Sequence, residues 1–235
     1  MKEDVKQAYS SFHLSNKSQH LYPTEWVIRT MLGSYPNLKY DRSKYAGGKI
    51  LDQGFGDGRN MPLLHNCGLE IYGVEITQET VDMVSSATNK LGIPTTLKVG
   101  SNANIPFETE FFDYVLACAS CYYIDKNGTF DDNLKEITRV LKPGGYFIAN
   151  FPAFTDLPIP LNFILKNSIA TEDGHVVITS DPFGIRNGYK FKPFNSEQQI
   201  IDTLSDRYSD ISIGYTFDNF YGLQQNLYIV TAKKK

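Results

Sequence analysis

The sequence predicts an α/β fold in which a mostly parallel sheet carries helices on both faces. Two observations predict it. Short apolar strands alternate with helix-compatible segments through the middle of the chain, and the first strand runs straight into a glycine-rich turn at residues 52–58. With 235 residues, 41% of them hydrophobic, there is material for one domain with a sizeable core.

Residues 1–44 form a polar and aromatic opening segment. Within it Pro23-Thr24-Glu25 starts a helix whose stripe is Trp26, Val27, Thr30 and Met31, with Gly33 as its stop. The core spans 45–151. Ile50-Leu51 is its first strand, and a helix starts near Arg59 to Pro62, where proline is tolerated in an opening turn. A second strand covers Glu70–Ile76. Thr77 then caps a helix to Lys90, with Val81, Val84 and Leu91 facing inward. Strands at Thr95–Gly100, Tyr114–Ser120 and Tyr146–Phe151 continue the alternation. Pro152, Pro158, Pro160, Pro182 and Pro193 forbid a long regular element in 152–195, which reads as an inserted cap over the site. In the closing part, 196–235, Ser196 caps a helix to Leu204 that buries Ile200, Ile201 and Leu204. Ile211–Phe217 and Asn226–Thr231 are two last strands joined through residues 218–222.

The glycine-rich turn suggests a ligand. Asp52 is followed by Gly54, Gly56 and Gly58, then by helix formers. Glycine lets the backbone take φ > 0 and lets a nucleotide-like molecule lie against bare main chain, while the next helix presents free N–H groups. In the dinucleotide fingerprint a third glycine would stand at position 59, which is Arg59. The run instead resembles the first motif of the class I S-adenosylmethionine (SAM) dependent methyltransferases, acidic-x-G-x-G-x-G. Three later segments share that resemblance. Gly73-Val74-Glu75-Ile76 ends the second strand. Gly100-Ser101-Asn102-Ala103-Asn104-Ile105-Pro106-Phe107 precedes Phe112-Asp113-Tyr114-Val115. Arg139-Val140-Leu141-Lys142-Pro143-Gly144-Gly145 resembles the family's helix-turn-strand. Together they span about residues 45–151.

The resemblance implies a Rossmann-like three-layer sandwich: a seven-stranded, mostly parallel sheet with an antiparallel closing strand pair and a cap. It also implies SAM as cofactor, S-adenosylhomocysteine (SAH) as product, and a set of cofactor-binding residues. Gly54, Phe55, Gly56, Gly58 and Asn60 form the loop. Asp52 orients the cofactor ammonium or caps the loop's own N–H groups. Glu75, beside Ile76, accepts both ribose hydroxyls, for which a carboxylate has the acceptors. Ser101, Asn102 and Ala103 hold the adenine, with Ser101 standing where the family often has aspartate. Cys118 ends the fourth strand, where the methyl group is presented.

Substrate and catalytic candidates come from residue chemistry. Tyr122 and Tyr123 either border the sulfonium, to which an aromatic face is attractive, or pack as core. His175 is a general-base candidate against the default of a surface histidine. Arg186 suits a phosphate or carboxylate clamp. Tyr189, Tyr22, Arg29, His13, Lys17 and His20 are further candidates for closing over the site, with Tyr9, Phe12 and Trp26 as aromatic alternatives. Cys118 and Cys121 lack the preceding proline of covalent cytosine methylation and read as small buried hydrophobes. No Cys/His spacing suggests a metal.

A net charge of −3 with no basic cluster before Lys233-Lys234-Lys235 argues against nucleic acid and for a small-molecule partner. Three cysteines make no disulfide framework, the start lacks the apolar core of a signal peptide, and no run is membrane-spanning, so the cytoplasm is the expected compartment. The expected reaction is methyl transfer to oxygen or nitrogen of a polar molecule such as a sugar or phosphorylated precursor. A SAM-binding protein without turnover and a nicotinamide-dependent reductase are the other readings. Oligomeric state is open.

Overall fold

Alternation along the central strands decides which helix covers which side of the sheet. Ile50, Tyr114, Leu116, Tyr146 and Ile148 point one way, into a cluster with Trp26, Val27, Met31, Met61, Leu64, Val81 and Val84. The intervening Leu51, Val115, Ala117, Phe147 and Ala149 point the other way, toward Phe130, Leu134, Ile137, Ile200 and Leu204. Strands buried on both faces read as continuous apolar runs, which is why Phe112–Ala117 shows no polar alternation. Each fully buried Leu, Ile, Phe or Val contributes about 1.5–3 kcal/mol.

The computed structural model describes residues 11, 21–125, 127–153 and 162–235. Tyr9, Phe12, His13, Lys17, His20, Pro158 and Pro160, named from the sequence, lie outside the described residues. In chain order the elements are α1 (Glu25–Leu32), β1 (Lys49–Gln53), α2 (Met61–Asn66), β2 (Glu70–Glu75), α3 (Gln78–Lys90), β3 (Thr95–Val99), β4 (Phe112–Ala117) and β5 (Tyr123–Ile124). Then follow α4 (Phe130–Val140), β6 (Leu141–Pro152), β7 (Ser168–Ala170), β8 (Val176–Ile178), β9 (Lys190–Phe191), α5 (Glu197–Leu204), β10 (Tyr208–Phe220) and β11 (Leu223–Lys234). The main sheet has seven strands in the order β10-β11-β6-β4-β1-β2-β3. Its neighbours pair in parallel except around β11, which is antiparallel to both β6 and β10. The expected mostly parallel seven-stranded sheet with helices on both sides is therefore the fold observed. Among the described residues no helix is long and apolar enough to cross a membrane.

Local signals place the helix starts. The Thr77 hydroxyl accepts from the Thr80 amide and the Ser196 hydroxyl from the Gln199 amide, as their N-cap positions predict. Thr129 and Asp132 cap α4 reciprocally, so two orphan donors are satisfied at once.

Some details differ from the sequence reading. Leu91 follows α3 and is 53% exposed, and the buried Ile93 takes the inward place. Ile201, expected to be buried, is exposed, and only Ile200 and Leu204 of its helix face the core. The turn expected across Lys142–Gly145 is a local irregularity inside a longer β6, because Leu141 already pairs with Phe112. The last two strands extend to a two-residue turn, Tyr221-Gly222. Both of its residues take positive φ, the geometry that matches the twist of a tight hairpin. Residues 162–195 are not devoid of strands: β7, β8 and β9, of two or three residues each, join β5 in a four-stranded second sheet.

Candidate active site

Ligands of open α/β sheets bind beyond the carboxyl ends of the strands, and there two cavities open. The larger, about 630 Å³, is walled by the Gly54–Asn60 loop, the start of α1, the Cys118–Tyr123 turn, Asn150, Asn162–Ile164, Arg186 and the tip half of the β10–β11 hairpin. The smaller, about 60 Å³, is lined by Glu75, Ile76, Ser101, Asn102, Ile124 and Tyr189 among others. Gly54, Ala119 and Tyr123 line both.

The loop conformation follows from its glycines. Gly54, Gly56 and Gly58 all take positive φ. At Gly54 space is limiting as well: a Cβ there would stand 2.5 Å from Cβ of Ser120. Gly54→Ala is accordingly expected to combine backbone strain with a clash at the seam between the cavities. It should lower the melting temperature by several degrees and weaken SAH binding at least tenfold, measured by thermal unfolding and calorimetry.

Two buried carboxylates flank the loop. Glu75, 3% exposed, accepts from the Gly56 amide through Oε1 (3.1 Å) and from the Ile76 amide through Oε2 (2.6 Å). Burial raises its pKa, and the two amides pull it back. Asp52, 1% exposed, has no hydrogen-bond partner on either oxygen among the described residues. Burial, with Asp57 and Glu75 adding like charge, pushes its carboxyl up to about 8. An orphaned buried carboxyl beside a loop of bare main chain is what an alkylammonium group would complete. The donor set thus fits a cofactor carrying an ammonium and a ribose diol.

The other sequence candidates divide. Asn102 is committed to the scaffold: its amide donates to the carbonyls of Ser120 (2.9 Å) and Tyr123 (3.0 Å), and its Oδ1 accepts from Gln53 (2.9 Å). Ser101 lines the small cavity, whereas Ala103 lines neither. Asn60 Oδ1 accepts from the Thr24 amide (3.0 Å) and ties α1 to the loop. Phe55 reaches the core under Gly73 as well as the chamber. Asp57 holds Arg59 at 2.7 Å on the chamber wall. Cys118 faces the chamber as a thiol, since burial raises it to about 11.

Tyr122 and Tyr123 stack at 5.2 Å, and burial raises both phenols, so they wall the chamber as neutral rings. Arg186 is in the chamber wall but ion-paired to the buried Asp181 (3.1 Å) and donating to the Tyr123 hydroxyl (3.1 Å). Tyr189 stands in the small cavity near Glu75 rather than in the chamber. Tyr22 is 73% exposed and lines neither cavity.

His175 also lines neither. It is buried, its Nε2 accepts from the Phe130 amide (3.3 Å) at the start of α4, and its Nδ1 lies 2.9 Å from Asp173. Burial lowers its pKa, so it serves as a neutral helix cap. Its sequence position, just before β8 and 45 residues from Phe130, gave no sign of that partner.

Two contributors were not assigned from the sequence. Asn150, within the strand expected at Tyr146–Phe151, accepts from the Ala119 amide through Oδ1 (2.6 Å) and holds Ala119 at a φ of 56°. The hairpin residues Thr216, Phe217, Asp218, Phe220 and Gln225 form one chamber wall. Nothing local in the sequence marks them, because their place depends on how far β10 and β11 outrun β6.

Residues 51–149 match the family model described as a methyltransferase domain. This stretch is a methyltransferase domain of the class I, Rossmann-like fold. SAM is the cofactor of such domains, and the glycine loop flanked by Asp52 and Glu75 fits it. Among similar proteins, squalene methyltransferase 1 of Botryococcus braunii is 29% identical over 143 residues, 59% of this chain and 35% of that protein. The sterol 4-C-methyltransferase strm-1 of Caenorhabditis elegans is 35% identical over 100 residues, 42% of this chain and 29% of that protein. The chain thus spans about a third of the length of these curated relatives. A SAM-dependent methyltransferase structure from Methanosarcina mazei superposes with a TM-score of 0.59 at 20% identity, covering 86% of this chain and 98% of that one.

Proposed function

We propose that this methyltransferase transfers the methyl group of SAM to an oxygen or nitrogen atom of a polar small molecule held in the large chamber. The observation that carries the reading is the juxtaposition of the glycine loop, orphaned Asp52 and Glu75 with a chamber of about 630 Å³ that shares Gly54, Ala119 and Tyr123 with the Glu75 cavity. Its volume lies within the roughly 300–1,000 Å³ usual for small-molecule sites. The wall includes Arg29, Arg59 and Arg186, each beside a carboxylate, which favours a polar and partly anionic acceptor such as a sugar phosphate.

SAM supplies an electrophilic methyl when bound. The chain's own task is to hold the acceptor atom about 3–3.5 Å away and in line. Tyr122, Tyr123 and the Asn150-held Ala119 turn are the rigid parts placed to do so. Residues 162–195 and the α1 region serve as the cap that excludes water. The described chamber wall holds carboxylates but no histidine, so Glu25, Asp57 or Asp218 would accept a proton where the acceptor carries one.

Thermal unfolding with SAM, SAH or NADH tests the reading. A ligand at a hundredfold excess over its Kd adds about 2.7 kcal/mol, or roughly 5–10 °C here. SAM and SAH are expected to give that shift and NADH none, with SAH then accumulating in an acceptor screen of sugars and phosphorylated precursors. Stabilisation by NADH alone would overturn it.

A further inference from the structure

In its middle, one face of β10 carries only small side chains. Ser212, Gly214 and Thr216 alternate there, while Ile211, Ile213, Tyr215 and Phe217 take the other positions. Pairing sets Gly214 opposite Ile229 and Ser212 opposite Thr231, so those partners stand on the same face. Helix α1 comes over this face through Trp26, Arg29 and Thr30. With only small residues on this face of β10 beneath them, a largely apolar cleft of about 350 Å³ remains, whose lining also includes Ile213 and Tyr215.

Two further observations point to a ligand. Thr231 is 2% exposed and its hydroxyl has no hydrogen-bond partner among the described residues. The Thr216 hydroxyl in the same lining is likewise buried and unpaired among the described residues, and an apolar lining with a few such polar groups is the pattern of a small-molecule subsite. The cleft is also continuous with the chamber, since Trp26, Arg29 and Thr216 line both.

We propose that this cleft is a second acceptor subsite, taking an extended hydrocarbon portion of the molecule whose reacting polar end lies in the chamber. The proposal rests on the chamber being the acceptor site. It makes the acceptor an amphiphile, with its polar end among the arginines and its chain running under α1.

Trp26, the chain's single tryptophan, stands where the two spaces meet and reports on occupancy. Gly214 allows the cleft to be plugged: a Cβ there would meet nothing nearer than Ile229 at 3.9 Å. The experiment titrates Trp26 emission with straight-chain primary alcohols from butanol to decanol, in the wild-type protein, Gly214→Ala and Gly214→Leu. SAH-induced thermal shifts are recorded on the same samples.

Wild-type affinity is expected to rise roughly fourfold per methylene. Gly214→Leu should lose that dependence, with Gly214→Ala in between, and the SAH shift should stay the same in all three. Absence of chain-length dependence in the wild type, or its survival unchanged in Gly214→Leu, overturns the subsite. If SAH still stabilises the protein in that case, only the subsite fails. If SAH does not stabilise the wild type, the methyltransferase reading fails instead, whatever the alcohols do.

Discussion

Glu75→Ala is expected to abolish the thermal shift that SAH produces at concentrations saturating the wild type. The Glu75 carboxylate is placed by two backbone amides, Gly56 and Ile76, and stands in the wall of the small cavity with lone pairs left for a diol. A hydrogen bond to a charged group contributes about 1.5–3 kcal/mol, so losing even one costs roughly ten- to a hundredfold in Kd. The substitution also releases the Gly56 amide, so the loop loses its tether and preorganisation falls with the direct contact. Glu75→Gln separates the two effects. It keeps a carbonyl oxygen for one amide but turns an N–H group toward the other, so the loop is partly held while the second acceptor is gone. Calorimetry should rank affinity as wild type, then Gln, then Ala. Equal SAH affinity in all three would remove Glu75 from the cofactor site.

The second large effect is expected at Asp52 and is a pH effect. Unfolded, an aspartate titrates near pH 3.9, whereas in the folded protein without ligand burial holds Asp52 at about 8. Between those values the folded state binds the extra proton, so stability falls as pH rises from about 4 to about 8. A cationic group arriving beside Asp52 favours the carboxylate, so SAH binding near pH 7 should release a proton and tighten as pH rises toward 8. Asp52→Asn removes the titration. Its melting temperature should depend less on pH across that window, and its SAH affinity should be at least tenfold weaker at pH 8. Calorimetry in two buffers of different ionisation enthalpy reads the proton directly. Undiminished proton release in Asp52→Asn would show that another group titrates.

The sequence by itself determined the strand alternation, the glycine loop after Asp52, the acidic end of the second strand at Glu75 and most helix starts. All of these depend on neighbours within a few residues. Gly54, Gly56 and Gly58 take positive φ within their own turn, Thr77 and Ser196 reach amides three positions on, and apolar runs bury themselves on whichever side a helix is offered.

Tertiary structure decided what those residues face. It sent His175 to the α4 terminus instead of the chamber, spent Asn102 on Ser120 and Tyr123, set Arg186 on the Tyr123 hydroxyl, and brought Tyr189 to Glu75. It also raised the β10–β11 hairpin into a chamber wall and left a cleft over Gly214. Each outcome is a contact between segments distant in the chain. Such contacts follow from strand register and the depth to which a helix settles on a sheet, and no local pattern of residues encodes either.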